Sequence, residues 1–264
     1  MYYTSSSIFC KIPTMKKFSK DAVKSYYDQM TRSYLNIYGD MIQAFRPKRA
    51  KDLMNYIAQS SGLKWRMHIL DAGCGVCGPA IYFAKHFNAR VDAVTVSTIQ
   101  AAEANKKILQ ENVQQLINVK EGDYHHLSDY YNPDTYDAVY FLESLGHSDN
   151  PKQAILESYK VLKKGGFIYI KDFYAKKTDD SAVQDKINKV IQNINNAYNY
   201  NTLDLEDTIK ALRQVGFEIL FIKKLDFKDD INVRYQFEKV NGIDVFEGME
   251  EFYPAEWLEI KCVK

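Results

Sequence analysis

At the end of one apolar run, the stretch YFLESLGHSDNP (140–151) sets Glu143 and His147 four residues apart, with Ser144 and Gly146 between them. A strand that merely filled a core would stop there. This one hands over a carboxylate and an imidazole, and Asp149-Asn150-Pro151 then opens a helix. A partly desolvated carboxylate can stabilise positive charge or remove a proton, and an imidazole can assist either task. In the plain alternative, Glu143 is an acceptor at a helix end and His147 a satisfied structural histidine.

The second constellation is DAGCGVCG (71–78), where Gly73, Gly75 and Gly78 match G-x-G-x-x-G between an apolar run and a helical stretch. Glycines there let the backbone turn tightly and come close to a ligand. Asp71 stands immediately before them. A dinucleotide's pyrophosphate would crowd that carboxylate with a second anion, whereas a ligand carrying an amine or a sulfonium suits it. The bland reading is an Asp capping its own turn. A nicotinamide cofactor would also want an acid at the end of the next strand, where Thr95 stands instead, with Ser97 two residues on. Asp92 lies earlier in that strand. Cys74-x-x-Cys77 has the spacing of a redox or zinc half-site but no second pair, and His125-His126 lacks a third ligand in view.

These residues need a scaffold, and the patterning supplies one. Residues 19–65 space apolar and aromatic side chains three and four apart, which predicts helices bounded by Ser19 and Gly62. From residue 67 onward short apolar runs alternate with helical stretches: strands at 67–73, 89–97, 117–123, 136–144, 163–173, 217–225 and 257–264, helices at 79–87, 98–112, 151–162, 180–199 and 205–216. Alternation of this kind predicts an α/β fold, a mostly parallel, doubly wound sheet covered on both faces. Residues 226–256 form a connection longer than usual, rich in Phe, Tyr and acids.

The 264 residues suit one generous α/β domain or a domain with a cap, and 46% hydrophobic content is enough for a full core. Formal net charge is +1, from 35 basic and 34 acidic side chains, with no long basic run, so nucleic acid is a poor partner. No apolar stretch reaches the roughly 20 residues of a membrane span. The opening MYYTSSSIFCKIPTM reads as an N-terminal extension (1–18) rather than a cleaved signal, with Met15 an alternative start and Lys16, Lys17, Lys20 and Lys24 a solvated helix face. Four cysteines make no disulfide framework, so a reduced, cytoplasmic setting is expected.

ILDAGCGVCG, VDAVTVSTIQ, EGDY, YDAVYFLESLGH and VLKKGGFIYIKDF together resemble the ordered motifs of class I S-adenosylmethionine-dependent methyltransferases, over about residues 67 to 173. The resemblance implies a seven-stranded Rossmann-like sheet over 66–264, with a helical lid over 19–65 and substrate-side insertions at about 174–204 and 226–256. It also implies that Asp71, Gly73 and Gly75 hold the methionine part of S-adenosylmethionine. Thr95, Ser97 and Gln100 resemble the Thr-x-Ser-x-x-Gln ribose contact of the cyclopropane-fatty-acid-synthase-like branch. Asp123 matches the acceptor of the adenine amine, with Tyr124 beside the ring. LESLGH resembles the glutamate-to-histidine step of sterol C-24, tocopherol and geranyl diphosphate C-methyltransferases. That implies Glu143 as cation stabiliser or base, and His147 as its partner or a substrate ligand.

The aromatic segment before the core resembles the lid of geranyl-diphosphate-type enzymes, implying that Tyr26, Tyr34, Tyr38 and Gln43 close over the cofactor. An isoprenoid alkene, a prenyl diphosphate or terpenoid, is the expected small-molecule acceptor. A diphosphate would need convergent cations from Arg32, Arg46, Lys48, Arg49 and Arg234, with magnesium alongside. N-methylation of a small amine or phospho-base is the alternative, and a cofactor-binding scaffold or a dehydrogenase are further readings. Self-association into a homo-oligomer is left open.

Overall fold

The computed structural model describes residues 18–264. Most of the expected N-terminal extension, with Cys10, Met15, Lys16 and Lys17, lies outside the described residues. Seven strands form one sheet: β1 (His68–Ala72), β2 (Arg90–Thr95), β3 (Ile117–Glu121), β4 (Tyr136–Leu142), β5 (Leu162–Ala175), β6 (Glu218–Lys224) and β7 (Ala255–Val263). Their order is β3-β2-β1-β4-β5-β7-β6. All pairings are parallel except those of β7, which runs antiparallel to β5 and β6. The order reverses between β1 and β4, and such a switch point opens a crevice beyond the carboxyl ends of the strands.

Helices α2 (Ala50–Ser61), α3 (Gly78–Phe87) and α4 (Thr98–Gln110) bury their apolar stripes on one face. Helices α5 (Pro151–Val161) and α7 (Leu205–Val215) cover the other. Both faces being covered explains the near-continuous apolar runs of the central strands. Three further helices stand on the carboxyl side. These are α1 (Lys20–Tyr38), α6 (Ser181–Ala197) and α8 (Ile231–Asn241). Helix α1 is capped by Ser19 Oγ, which accepts from the Ala22 amide at 3.3 Å. It joins α8 through Tyr34 and Tyr38 around Phe237, the Tyr34 and Phe237 rings stacked at 4.3 Å.

Two stretches differ from expectation. Helical spacing over 40–62 becomes α2 only from Ala50. Residues 39–49 form a strap instead, because Gly39 ends α1 at φ +65° and tertiary partners take the strap's backbone groups. The long connection at 226–256 contains α8, begun by Asp230, whose side chain accepts from the Asn232 amide, and ended by Gly242 in the left-handed region. Asp92 is structural: at the amino ends of the strands it accepts from Tyr136 Oη at 2.9 Å and meets His68 Nε2 at 2.8 Å.

The strap lies tight on the glycine loop. A Cβ at Gly78 would sit 2.0 Å from the Asp40 carbonyl oxygen, a backbone atom that cannot rotate away. Gly78→Ala is therefore expected to cost about 1–3 kcal/mol, as overpacking does. The check is a lowered midpoint in denaturant unfolding together with faster proteolysis within 39–49. An unchanged midpoint would mean that the strap does not rest where it is described.

Candidate active site

The crevice holds an open cavity of about 850 Å³ whose wall includes Gln43, Asp71, Gly73, Gly75, Thr95, Gln100, Asp123, Tyr124, Glu143 and His147. Residues scattered over a hundred positions of sequence thus meet at the ends of β1, β2 and β4. Gly73 must be glycine: its φ is +87°, and a Cβ would lie 2.5 Å from Ser144 Cβ. Asp71 is buried, and its Oδ2 has no hydrogen-bond partner among the described residues. Burial alone pushes its carboxyl up to about 7. A buried anion without a partner, in the wall of a cavity, is a receptor for a cation.

The ribose-side residues divide. Thr95 Oγ1 donates to Gln100 Oε1 at 2.9 Å, which turns the Gln100 amide nitrogen toward the glycine loop. Ser97 is not in the cavity wall. Its hydroxyl accepts from the Gln100 amide to cap α4 and donates to Asp28 of α1 at 2.6 Å, so its single proton is spent on structure. Asp123 Oδ1 takes both the backbone amide and Nδ1 of His125, at 2.9 and 2.6 Å. Burial works to raise the Asp123 carboxyl, but the His125 hydrogen bonds win and it lies below the ordinary carboxylate range. Tyr124 donates to the Ser144 carbonyl at 3.1 Å, and Gln43 to the Leu142 carbonyl at 2.8 Å. Tyr34, expected over the cofactor, lies elsewhere.

It lines a second cavity of about 990 Å³, whose wall carries Tyr27, Tyr34, Tyr38, Phe173, Tyr198, Tyr200, Phe246, Phe252, Tyr253 and Trp257. Four residues, Tyr27, Ile42, Glu143 and His147, line both cavities. The carboxylate and imidazole of the opening motif therefore stand at the junction of two chambers. Glu143 has φ +56°, a strained backbone for a side chain of its kind and a common mark of functional sites. Its carboxylate pairs with Lys171 Nζ and accepts from the strap amides of Ala44 at 2.6 Å and Phe45 at 3.3 Å.

His147 is not Glu143's hydrogen-bond partner. Its Nδ1 meets the Asn199 carbonyl at 3.1 Å and must donate to it, so in the neutral ring Nε2 accepts the Tyr27 hydroxyl at 2.6 Å. Burial lowers the imidazole to about 4, which keeps it neutral near pH 7.

The sequence reading missed Lys171 and Asp172, both fully buried at the end of β5. Lys171 holds Glu143 and donates to Gln43 Oε1 at 3.0 Å. Asp172, raised by burial to about 7, accepts from Tyr200 and from the Gly146 and Phe173 amides. Two charged residues inside the apolar run GGFIYIKDF were the available signal. The cations suggested for a diphosphate do not converge. Arg46 donates to the Tyr38 and Met41 carbonyls, Arg49 pairs with Asp52, Arg32 and Lys48 are exposed, and only Arg234 reaches the second cavity. Cys74 and Cys77 are buried free thiols, and among the described residues no three His, Cys, Asp or Glu side chains gather as a metal site.

Residues 70–170 match the family model described as a methyltransferase domain. The chain is 27% identical over 258 residues to (+)-O-methylkolavelool synthase of Herpetosiphon aurantiacus, covering 94% of this chain and 87% of that protein. It is 26% identical over 177 residues to the sterol 24-C-methyltransferase of Neurospora crassa, covering 67% of this chain and 46% of that one. The chain thus spans about half the length of the sterol enzymes it matches. Among solved structures, the [4+2]-cyclase SpnF superposes with a TM-score of 0.76 at 19% identity, covering 93% of this chain and 97% of that chain. Geranyl diphosphate C-methyltransferase of Streptomyces coelicolor, in complex with Mg2+, geranyl diphosphate and S-adenosyl-L-homocysteine, superposes with a TM-score of 0.72 at 14% identity, covering 94% and 98%. At identities this low the superpositions establish the shared fold alone.

Two outcomes are expected. Ionised Asp71 receives a cation and protonated Asp71 does not, so affinity for S-adenosylhomocysteine, through its ammonium, should rise about tenfold between roughly pH 6 and pH 8. Asp71→Asn should flatten that profile in calorimetric titration; the same slope in the variant would assign it to another group. Lys171→Met leaves the Glu143 carboxylate buried without its partner, and loss of about 3–5 kcal/mol of unfolding free energy is expected. Adding Glu143→Gln should recover part of that loss, and no recovery would rule out the ion pair as its cause.

Proposed function

The chain carries a class I S-adenosylmethionine-dependent methyltransferase domain, and from that premise we propose that it methylates an alkene carbon of an isoprenoid. The observation that carries this reading is the aromatic second cavity meeting the first at Glu143 and His147. The first cavity fits the donor. Asp71 presents an unpartnered buried oxygen to the amino-acid end, Gly73 leaves room where a Cβ would collide with Ser144, and Asp123 keeps a free oxygen. When bound, S-adenosylmethionine supplies an electrophilic methyl on a positively charged sulfur.

The chain's residues then act on the acceptor. An alkene carbon that takes a methyl leaves positive charge on its neighbour, where no lone pair is available. Aromatic faces stabilise such charge by about 0.5–2 kcal/mol for each well-placed ring. Glu143 adds its carboxylate at the junction, although Lys171 offsets part of that field, so the rings carry the larger share. Proton loss from the adjacent carbon completes the reaction, and the junction offers Glu143 and the Tyr27–His147 pair as acceptors. The strap and α1 exclude water that would quench the cation.

One observation favours a second reading. A tyrosine hydroxyl bonded to a neutral imidazole also suits deprotonation of a heteroatom acceptor. The relative named (+)-O-methylkolavelool synthase points to a terpenoid alcohol oxygen, and an amine nitrogen is the other choice. Against a small amine stands the size of the chamber, in the range that suits drug-sized ligands.

The test is incubation with methyl-labelled donor and isoprenoid alkenes, terpenoid alcohols or small amines, followed by product analysis. A new carbon–methyl bond is expected, with Glu143→Gln lowering turnover by about a hundredfold or more while S-adenosylhomocysteine still raises Tm. Label found only on oxygen or nitrogen would replace the carbon-acceptor reading with the second one.

A further inference from the structure

We propose that Arg234 and Glu238 form a recognition site for a hydroxyl group on the acceptor, apart from the point of methyl transfer. This rests on the isoprenoid reading above and goes beyond it by naming the head group. Both residues sit on α8, four apart and therefore on one helical face, and both line the second cavity but not the first. A group held by them is separated from the junction where transfer takes place.

Three observations define what they would hold. First, Arg234 has no ion pair within 4 Å and no hydrogen bond among the described residues; its contact is with the Tyr235 ring at 5.7 Å. A half-buried guanidinium at a cavity wall, with its donors uncommitted, is a recognition group. Second, Glu238 is not closed onto Arg234. Tyr198 donates to its Oε1 at 2.8 Å, which orients the carboxylate and leaves Oε2 to receive a donor. A hydroxyl offers one donor and two acceptor lone pairs, so it can give its proton to Glu238 and accept from Arg234 together.

Third, the charge balance of the cavity argues against an anionic head group. Its charged side chains are the single cation Arg234 and the two carboxylates Glu143 and Glu238. With Glu143 paired to Lys171 and Arg234 balanced by Glu238, the wall has no net positive charge to hold a diphosphate, which wants several converging cations. A hydroxyl makes no such demand. The acceptor defined by this wall is a neutral isoprenoid alcohol with its alkene at Glu143 and His147 and its oxygen at α8.

The experiment compares the wild-type chain with Arg234→Met, Arg234→Lys and Glu238→Gln on three probes of one carbon skeleton: farnesol, β-farnesene and farnesyl diphosphate. Turnover is read as kcat and KM with methyl-labelled donor, and a retained rise in Tm with S-adenosylhomocysteine certifies that each variant is folded. Wild type is expected to favour farnesol over β-farnesene in kcat/KM. Arg234→Met and Glu238→Gln should each shrink that preference about tenfold through KM, because the half-buried site then leaves the hydroxyl without one of its hydrogen-bond partners. Arg234→Lys should restore part of it.

Unaltered ratios in folded variants would overturn this inference while the isoprenoid reading stands. Preference of the wild type for farnesyl diphosphate, lost in Arg234→Met, would overturn the neutral head group. Label passing to amines and to none of the three probes would overturn both this inference and the reading beneath it.

Discussion

One buried ion pair organises the site. Glu143 ends β4 in a strained left-handed conformation, and its carboxylate is shared between Lys171 of β5 and the strap amides of Ala44 and Phe45. Breaking such a pair leaves an uncompensated charge away from water, so the strap, the strand end and β5 stand or fall together. The strap in turn carries Gln43 into one cavity and Ala44 into the other. The pair thus fixes the strap that lies between the two chambers where they meet.

The two sides of that boundary favour positive charge by different means. On one side the carboxylates of Asp71 and Asp123 line the cavity proposed for the methyl donor. On the other, aromatic faces wall the chamber proposed for the acceptor, and such faces favour positive charge. Each environment prefers a cation, and the junction residues touch both. Tyr27 and His147 stand at the junction as a hydrogen-bonded pair, and burial keeps the imidazole neutral, so no competing positive charge is added there.

Legibility in the sequence follows the range of the forces involved. The Gly73 turn, the Asp71 position and the Thr95 to Gln100 step are local: each is dictated by backbone conformations a few residues long, and all lie at one end of the sheet. Ser97 and Tyr34 belong to the same local patterns, yet their hydroxyls are spent on Asp28 and Tyr26, partners that only packing supplies. Helix α8 had its own cap at Asp230 and stop at Gly242, and went unread because its apolar stripe is short and aromatic. The strap carried helical spacing but is held by Glu143 from a hundred residues away, a tertiary partner stronger than local propensity.

By itself the sequence determined the alternation of strands and helices, the glycine turn with its preceding carboxylate, and the placing of Glu143 and His147 at a strand end. Those follow from periodicity and backbone sterics, which act over a few residues. Only the tertiary structure decided that Lys171 neutralises part of Glu143, that His147 faces Tyr27 rather than Glu143, and that α1, α6 and α8 enclose an aromatic chamber beside the crevice at the strand ends. Burial and charge pairing join residues far apart in the chain, and their energies exist only once the sheet has brought them within a few ångströms.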